Sequence, residues 1–221
     1  MSRSIAIVDH GLGNLRSVAF ALEAVGLESR ITGSPADLDA ADGIVLPGVG
    51  AFGDAMQVLE ARGLDEAIRT ALADRKPVLG VCLGLQLLGD GSDEFGWHAG
   101  LRLVRGTVEP LDRVDVAGQR VKVPTIGWKP VFRPDGVDWH DSPLHDLRDG
   151  EHQYFVHSYH FVPEDPGIVL ATAEHAGRRY VSAIRSGSLV ACQFHPERSG
   201  PTGLTVYARM FGRPDRQGTI S

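Results

Sequence analysis

Two short stretches of this chain carry residue types whose spacing could do chemistry. The first is Pro77-Val-Leu-Gly-Val-Cys-Leu-Gly-Leu-Gln-Leu-Leu88, where an apolar run ends in Gly-x-Cys-x-Gly and a helical pattern starts at once. Gly80 and Gly84 remove the side chains that would collide in so tight a strand-to-helix turn, which is expected to push Cys82 out toward solvent. Beneath a thiol placed there lie the first free amides of the helix, which favour a thiolate and can hold an oxyanion. Taken alone, Cys82 is as readily a small core residue at a strand end, as most unpaired cysteines are. The second stretch is Ser188-Leu-Val-Ala-Cys-Gln-Phe-His-Pro-Glu-Arg-Ser199, in which Leu189 to Phe194 reads as an apolar strand. Pro196 biases His195 toward extended backbone, where residues two apart share a face, so His195 and Glu197 are expected to point the same way. A nucleophile needs such a pair: the imidazole takes the thiol proton, and the carboxylate fixes its tautomer and steadies the imidazolium. His-x-Glu alone is usually a surface pair. With an elbow cysteine in a chain of this size, a Cys82–His195–Glu197 triad is the stronger reading.

The elements that must position these residues follow from periodicity. Ser4 to Asp9 reads as a first strand, and a glycine turn at 11 to 13 leads into a helix from Leu15 to Val25 with Leu15, Val18, Ala19, Leu22 and Val25 on one face. Glu28 to Thr32, Gly43 to Pro47 and Val78 to Val81 read as further strands, with a long helix from Phe52 to Asp74 interrupted at Gly63. This βαβαβ order implies an α/β fold: a doubly wound, mostly parallel sheet with helices on both faces. From Leu101 the texture becomes β-rich, with short strands expected at Thr107–Leu111, Val121–Pro124, Val131–Arg133, Tyr154–Phe161, Ile168–Glu174 and Tyr180–Arg185. Residues 1–212 read as one domain and 213–221 as a polar, frayed tail.

Composition narrows the function. The formal net charge is −6 with no cluster of basic residues, which argues against nucleic acid as a partner. Two cysteines are too few for a disulfide framework, and bridging a nucleophile would disable it, so a reducing, cytoplasmic setting is expected. No stretch reaches the roughly 18 apolar residues of a membrane span. The nine histidines raise the question of a metal. His157 and His160 would lie on opposite faces of one strand, and neither His-x-x-x-His nor Cys-x-x-Cys occurs, so no metal or other cofactor is expected. His157 is expected to buttress the Ser158–Tyr159 segment, whereas His10, His98, His140, His145 and His175 read as loop or surface residues. Pro47-Gly-Val-Gly50, at the end of the third strand, could be an ordinary βα turn, a phosphate cradle or a rotatable peptide facing a site.

Several motifs together carry a specific resemblance: Val8-Asp-His-Gly-Leu-Gly-Asn-Leu-Arg-Ser17, Leu46-Pro-Gly-Val-Gly-Ala-Phe52, Gly80-Val-Cys-Leu-Gly-Leu-Gln-Leu-Leu88, Gly127-Trp128, Tyr154-Phe-Val-His-Ser-Tyr159 and Gln193-Phe-His-Pro-Glu-Arg-Ser199. In order and coverage the chain resembles the class I, triad-type glutamine amidotransferases, and among them the glutaminase subunits of imidazole glycerol phosphate synthases. The resemblance implies that Cys82, His195 and Glu197 hydrolyse glutamine. It implies that the Gly48-Val49-Gly50 strand and the amide of Leu83 form an oxyanion hole. It further implies that Gln86 and Glu94, with backbone of Ser158 and Tyr159, hold the α-amino acid end of L-glutamine. Asn14, Trp128 and Arg198 match positions near a boundary with a separate (β/α)8-barrel synthase subunit, in a heterodimer that makes imidazole glycerol phosphate for histidine biosynthesis.

Two departures from that pattern stand out. Pro124-Thr-Ile-Gly-Trp-Lys129 replaces the usual Pro-His-Met-Gly-Trp-Asn, and His10 stands where tyrosine is common. Both fall, by resemblance, near the edge facing the synthase, so they bear on partner identity more than on chemistry. The competing readings are a paralogous subunit feeding another acceptor, a stand-alone cysteine hydrolase of similar fold, and a non-catalytic binding module.

Overall fold

Apolar runs flanked by turn residues become the central strands. The computed structural model describes residues 3–212. In it β1 (Ser4–Val8), β2 (Glu28–Thr32), β3 (Gly43–Leu46) and β4 (Val78–Val81) alternate with α1 (Leu15–Ala24), α2 (Pro35–Ala40), α3 (Phe52–Ala61) and α4 (Leu64–Ala73). The turn at Cys82 leads into α5 (Leu83–Leu87), followed by the short β5 (Gly91–Ser92) and β6 (His98–Ala99), then β7 (Gly106–Pro110). The later part contains β8 (Thr125–Val131), β9 (Glu151–His157), β10 (Tyr159–Pro163), β11 (Val169–His175), β12 (Arg178–Ser186), β13 (Leu189–Cys192) and α6 (Gly200–Phe211).

The main sheet has the order β11-β12-β13-β4-β3-β1-β2. The pairings from β2 across to β13 are parallel, and the two at the β11 edge are antiparallel. Alternate residues of each central strand feed two cores: Ile5, Ile7, Val45, Leu79, Val81, Val190 and Cys192 face one, and Ala6, Val8, Ile44, Leu46, Val78, Leu189 and Ala191 the other. Burial on both faces explains why these strands read as continuous apolar runs rather than as alternating ones. The first core takes Val18 and Leu22 from α1 and Val206, Tyr207 and Phe211 from α6. The second takes α2, α3, α4 and α5 through Leu38, Phe52, Leu59, Ile68 and Leu85. A four-stranded sheet, β10-β7-β5-β6, and a ribbon of β8 with β9 complete the β-rich part.

The 52–74 helix is interrupted at Gly63 as expected, where φ is +66 and the glycine serves as the N-cap of α4. Several other elements differ from the sequence expectation. The stretch expected as one strand, 154–161, is β9 and β10 joined at Ser158. No strand forms at 121–124, where Val121 N–H instead bonds the Arg113 carbonyl across a small hairpin at 3.0 Å. Strand β8 begins at Thr125 and ends at Val131, so the 131–133 strand is displaced toward the N-terminus. Helices α2 and α6 carried no expectation. The tail at 213–221 lies outside the described residues.

Candidate active site

The chain reverses its direction of strand addition between β1 and β3, and the loops at their carboxyl ends flank a crevice, the usual ligand position in such sheets. The residues after β3, β4 and β13, three neighbouring parallel strands, are Pro47–Gly50, Cys82 and Gln193–Glu197. Their adjacency follows from topology alone.

Cys82 takes φ 55 and ψ −108, a region that costs about 1–3 kcal/mol for a non-glycine residue and persists only when its surroundings impose it. They do so here by close approach. A Cβ on Gly84 would stand 1.8 Å from the Leu46 carbonyl oxygen, and one on Gly80 would stand 2.9 Å from Ala191 Cβ. The elbow therefore needs both glycines. The thiol does not project into solvent, however: Cys82 is only 4% exposed, because β9, with Val156, and the β13 loop close over it.

His195 is equally enclosed. His195 Nδ1 lies 2.8 Å from Glu197 Oε1, and both side chains are almost wholly buried. The backbone reason differs from the extended segment expected. His195 is extended, but Pro196–Arg198 forms a 3₁₀ turn that curls Glu197 back under the imidazole. Since an ionised carboxylate only accepts, Nδ1 carries the proton and Nε2 presents its lone pair; Nε2 is buried with no hydrogen-bond partner. Burial lowers the His195 pKa, but the charge of a Cys82 thiolate, followed by the hydrogen bond and charge of Glu197, outweighs it and pushes it up to about 10, so the imidazole keeps the proton it takes from the thiol. The loop is stitched to β9 by His195 N–H to the Tyr154 carbonyl at 2.9 Å and Tyr154 N–H to Ser199 Oγ at 2.9 Å.

A cleft of about 240 Å³ opens over the sulfur, lined by Val49, Gly50, Cys82, Leu83, Gln86, Glu94, Pro124, Val156, His157, Ser158 and Tyr159. It gathers the residues expected around glutamine, except that Gly48 lines a smaller cavity of about 40 Å³ beyond Val49. Two of the expected contacts are already occupied. The Leu83 N–H is held by the Gly48 carbonyl at 3.3 Å, so this amide is not free for an oxyanion in the resting arrangement. Glu94 accepts from Phe52 N–H at 2.8 Å, capping α3 while its carboxylate borders the cleft.

The histidines behave differently from expectation. The break at Ser158 turns His157 and His160 toward the same ring, Tyr180, rather than to opposite faces. His157 holds Tyr159 by a 2.8 Å bond to its carbonyl, and burial pushes the His157 pKa down to about 3. His10 is fully buried, not on the surface: its Nε2 donates to the Pro47 carbonyl at 2.7 Å and backs the glycine strand. His175 is buried too, bonded to the Asp112 carbonyl. Among the described residues no group of His, Cys, Asp or Glu is arranged to hold a metal ion.

Asn14, Trp128 and Arg198 do not touch the cleft. Asn14 caps α1 by accepting from Ser17 N–H, whereas Trp128 is 55% exposed and meets Tyr154 edge-on at 6.2 Å. Arg198 lies over the other partner of that contact, with its guanidinium 4.2 Å from the Tyr154 ring centre. Two residues went unnoticed in the sequence. Tyr207 of α6 donates to Glu197 Oε2 at 3.2 Å, and Gln193 Nε2 stands 3.5 Å from Cys82 Sγ.

With an elbow cysteine, a buried His–Glu pair and a glycine strand at the switch point of a mostly parallel sheet, the chain belongs to the class I glutamine amidotransferase family, whose model matches residues 6–212. Its relatives narrow the assignment. It is 44% identical over 204 residues to the imidazole glycerol phosphate synthase subunit HisH of Synechococcus sp. (strain JA-3-3Ab), covering 91% of this chain and 90% of that protein. The HisH subunit of Microcystis aeruginosa (strain NIES-843 / IAM M-2473) is 40% identical, with 98% and 99% covered. Solved structures share the fold at lower identity. PurLQS from Thermotoga maritima matches with a TM-score of 0.70 at 20% identity, over 95% of this chain and 98% of that one. A glutamine amidotransferase crystal structure matches with a TM-score of 0.69 at 18% identity, over 93% and 97%.

Proposed function

We infer that this chain is the glutaminase subunit of an imidazole glycerol phosphate synthase, releasing ammonia from glutamine for histidine biosynthesis. The observation that carries the reading is Cys82 in strained backbone at the floor of the cleft, beside a buried His195–Glu197 pair. His195 Nε2 takes the thiol proton, and the thiolate attacks the side-chain amide carbon of glutamine. The tetrahedral oxyanion is held by backbone N–H groups of Leu83 and the glycine strand, each worth about 3 kcal/mol when well placed. The imidazolium then protonates the departing nitrogen, water hydrolyses the thioester, and glutamate leaves. Gln86 and Glu94, with Ser158 and Tyr159 backbone, hold the amino acid end of the substrate; a carboxylate at the rim suits its ammonium group.

Ammonia released into bulk water would be protonated, so it passes to a separate (β/α)8-barrel subunit, where the synthase chemistry takes place. Supporting this direction, the smaller cavity beyond Val49 is lined by His195 and Glu197 and also by Asn14 and Arg198, the residues matched to the subunit boundary. Trp128 and Val49 leave apolar surface exposed nearby, as an interface would. No helix among the described residues is long and apolar enough to cross a membrane.

Since the Gly48 carbonyl occupies the Leu83 N–H, the oxyanion hole is incomplete at rest, and the Gly48–Val49 peptide must turn before catalysis. Docking of the barrel with its ligand would shift that population. The test is steady-state glutamate release by the chain alone, with the barrel subunit, and with barrel plus acceptor ligand. A low rate alone and a much higher rate in the liganded complex is expected. Equal rates would favour a stand-alone hydrolase, and no release in any condition a non-catalytic module.

A further inference from the structure

We infer that Gln193 is a further catalytic residue: its side-chain N–H donates a hydrogen bond to the Cys82 sulfur, in an orientation dictated by Gln86. Gln193 is fully buried, and its Nε2 lies 3.5 Å from Cys82 Sγ. An amide can present either end to a neighbour, and here the network leaves one choice. The chain of contacts starts at the Tyr159 carbonyl, which can only accept. Gln86 must therefore turn its NH₂ group to it, at 2.9 Å. The second hydrogen of that NH₂ points to Gln193, at 3.1 Å, so Gln193 must answer with its oxygen. Its own NH₂ is then left facing the sulfur. Turning Gln193 over would set donor against donor, and turning both would set the Gln86 oxygen against the Tyr159 carbonyl.

The anchor of this chain is itself fixed. Tyr159 also accepts from His157 Nδ1 at 2.8 Å, and Tyr180 OH donates to His157 Nε2 at 3.2 Å. Burial keeps His157 neutral, so its tautomer persists across the working range. A sulfur meeting a fixed N–H is favoured as thiolate over thiol. The same chain links the nucleophile to the cleft, because Gln86 and Tyr159 line the space over Cys82. Gln193 thus complements His195. The imidazole removes the proton, and the amide stabilises the charge left behind.

The inference rests on the glutaminase reading for its catalytic meaning, but its readout does not. Cys82 is alkylated with iodoacetamide over a range of pH and the modified peptide is identified by mass spectrometry, which separates it from the buried Cys192. The charged and titratable groups facing the sulfur are His195 with Glu197, His157, Tyr180, Cys192 and, at the cleft rim, Glu94. All are unchanged in Gln193→Met, which keeps the length and removes the donor, and in Gln193→Glu, which keeps an acceptor for Gln86 but adds negative charge. The alkylation midpoint is expected to rise by about one pH unit in Gln193→Met and further in Gln193→Glu. Glutamine-dependent kcat should fall about tenfold in Gln193→Met with a smaller change in KM. Should Gln193→Met not fold, Gln193→Leu, which also lacks the donor and adds no charge, is read by the same midpoint. An unmoved midpoint in a folded variant overturns the inference even if the wild type hydrolyses glutamine. A moved midpoint in a wild-type background without glutaminase activity sustains it and rejects the functional reading instead.

Discussion

At Glu197 two donors converge, His195 Nδ1 on one oxygen and Tyr207 OH on the other. Tyr207 reaches it from α6, and its ring is fully buried, so it fixes the carboxylate without touching substrate. As a positioning residue it should act on the rate more than on binding. Tyr207→Phe is expected to lower kcat about fivefold with KM for glutamine unchanged, and to cost about 1 kcal/mol of stability, read by urea unfolding beside steady-state kinetics. A second expectation follows from His195. The folded protein holds its proton up to about pH 10, against an ordinary value of 6.5. Stability from this source is complete below pH 6.5 and is lost as pH rises through 10. Unfolding free energy measured across that window should decline, and less steeply in Cys82→Ala, which lacks the largest of the raising charges. A profile equally steep in both would contradict the assigned cause. The triad residues were legible because each motif is contiguous in sequence. Gln193 and Tyr207 were not, because their contacts join β13 to β4 and α6 to the turn after β13.

At the scale of elements, the legible parts are those where local and global preferences agree. Strands β1 and β4 are apolar throughout because both faces are buried, and Gly80 and Gly84 announce the elbow by their spacing. Helix α6 was missed because it opens Gly200-Pro-Thr-Gly203, weak helix formers that mask the Leu204, Tyr207 and Phe211 stripe behind them. Gly203 is needed there for space, since a Cβ would stand 2.2 Å from the Pro196 carbonyl oxygen. The break at Ser158 was missed because strand-forming residues flank it on both sides. Its consequence is functional, since it directs the Tyr159 carbonyl to Gln86 and His157. The elbow yields the sharpest prediction at this scale. Gly84→Ala would drive a methyl into the Leu46 backbone and should cost about 3 kcal/mol or more, measured as a shift in the urea midpoint. A near-neutral outcome would mean that the elbow is not close-packed.

For the whole molecule, topology performs the assembly. Adjacent parallel strands deliver Gly48–Gly50, Cys82 and His195 to one edge of the sheet, and the β-rich part folds β9 over them. The doubly wound, mostly parallel sheet was readable from the βαβαβ order, but the β1/β3 reversal and the pairing of β13 beside β4 were not, since long-range strand order leaves no local trace in sequence. Of the two departures on β8, Thr125 is buried and Lys129 is half-buried, beside exposed Ile126 and Trp128. In the proposed reaction, Cys82 makes ammonia that a separate synthase consumes. The most direct test reconstitutes Cys82→Ser with the barrel subunit and follows imidazole glycerol phosphate formation, first with glutamine and then with ammonium salt at high pH. Loss of the glutamine-dependent reaction is expected, because a serine alkoxide is far harder to form than a thiolate, with the ammonium-dependent reaction retained. Glutamine-dependent turnover near the wild-type rate would contradict it.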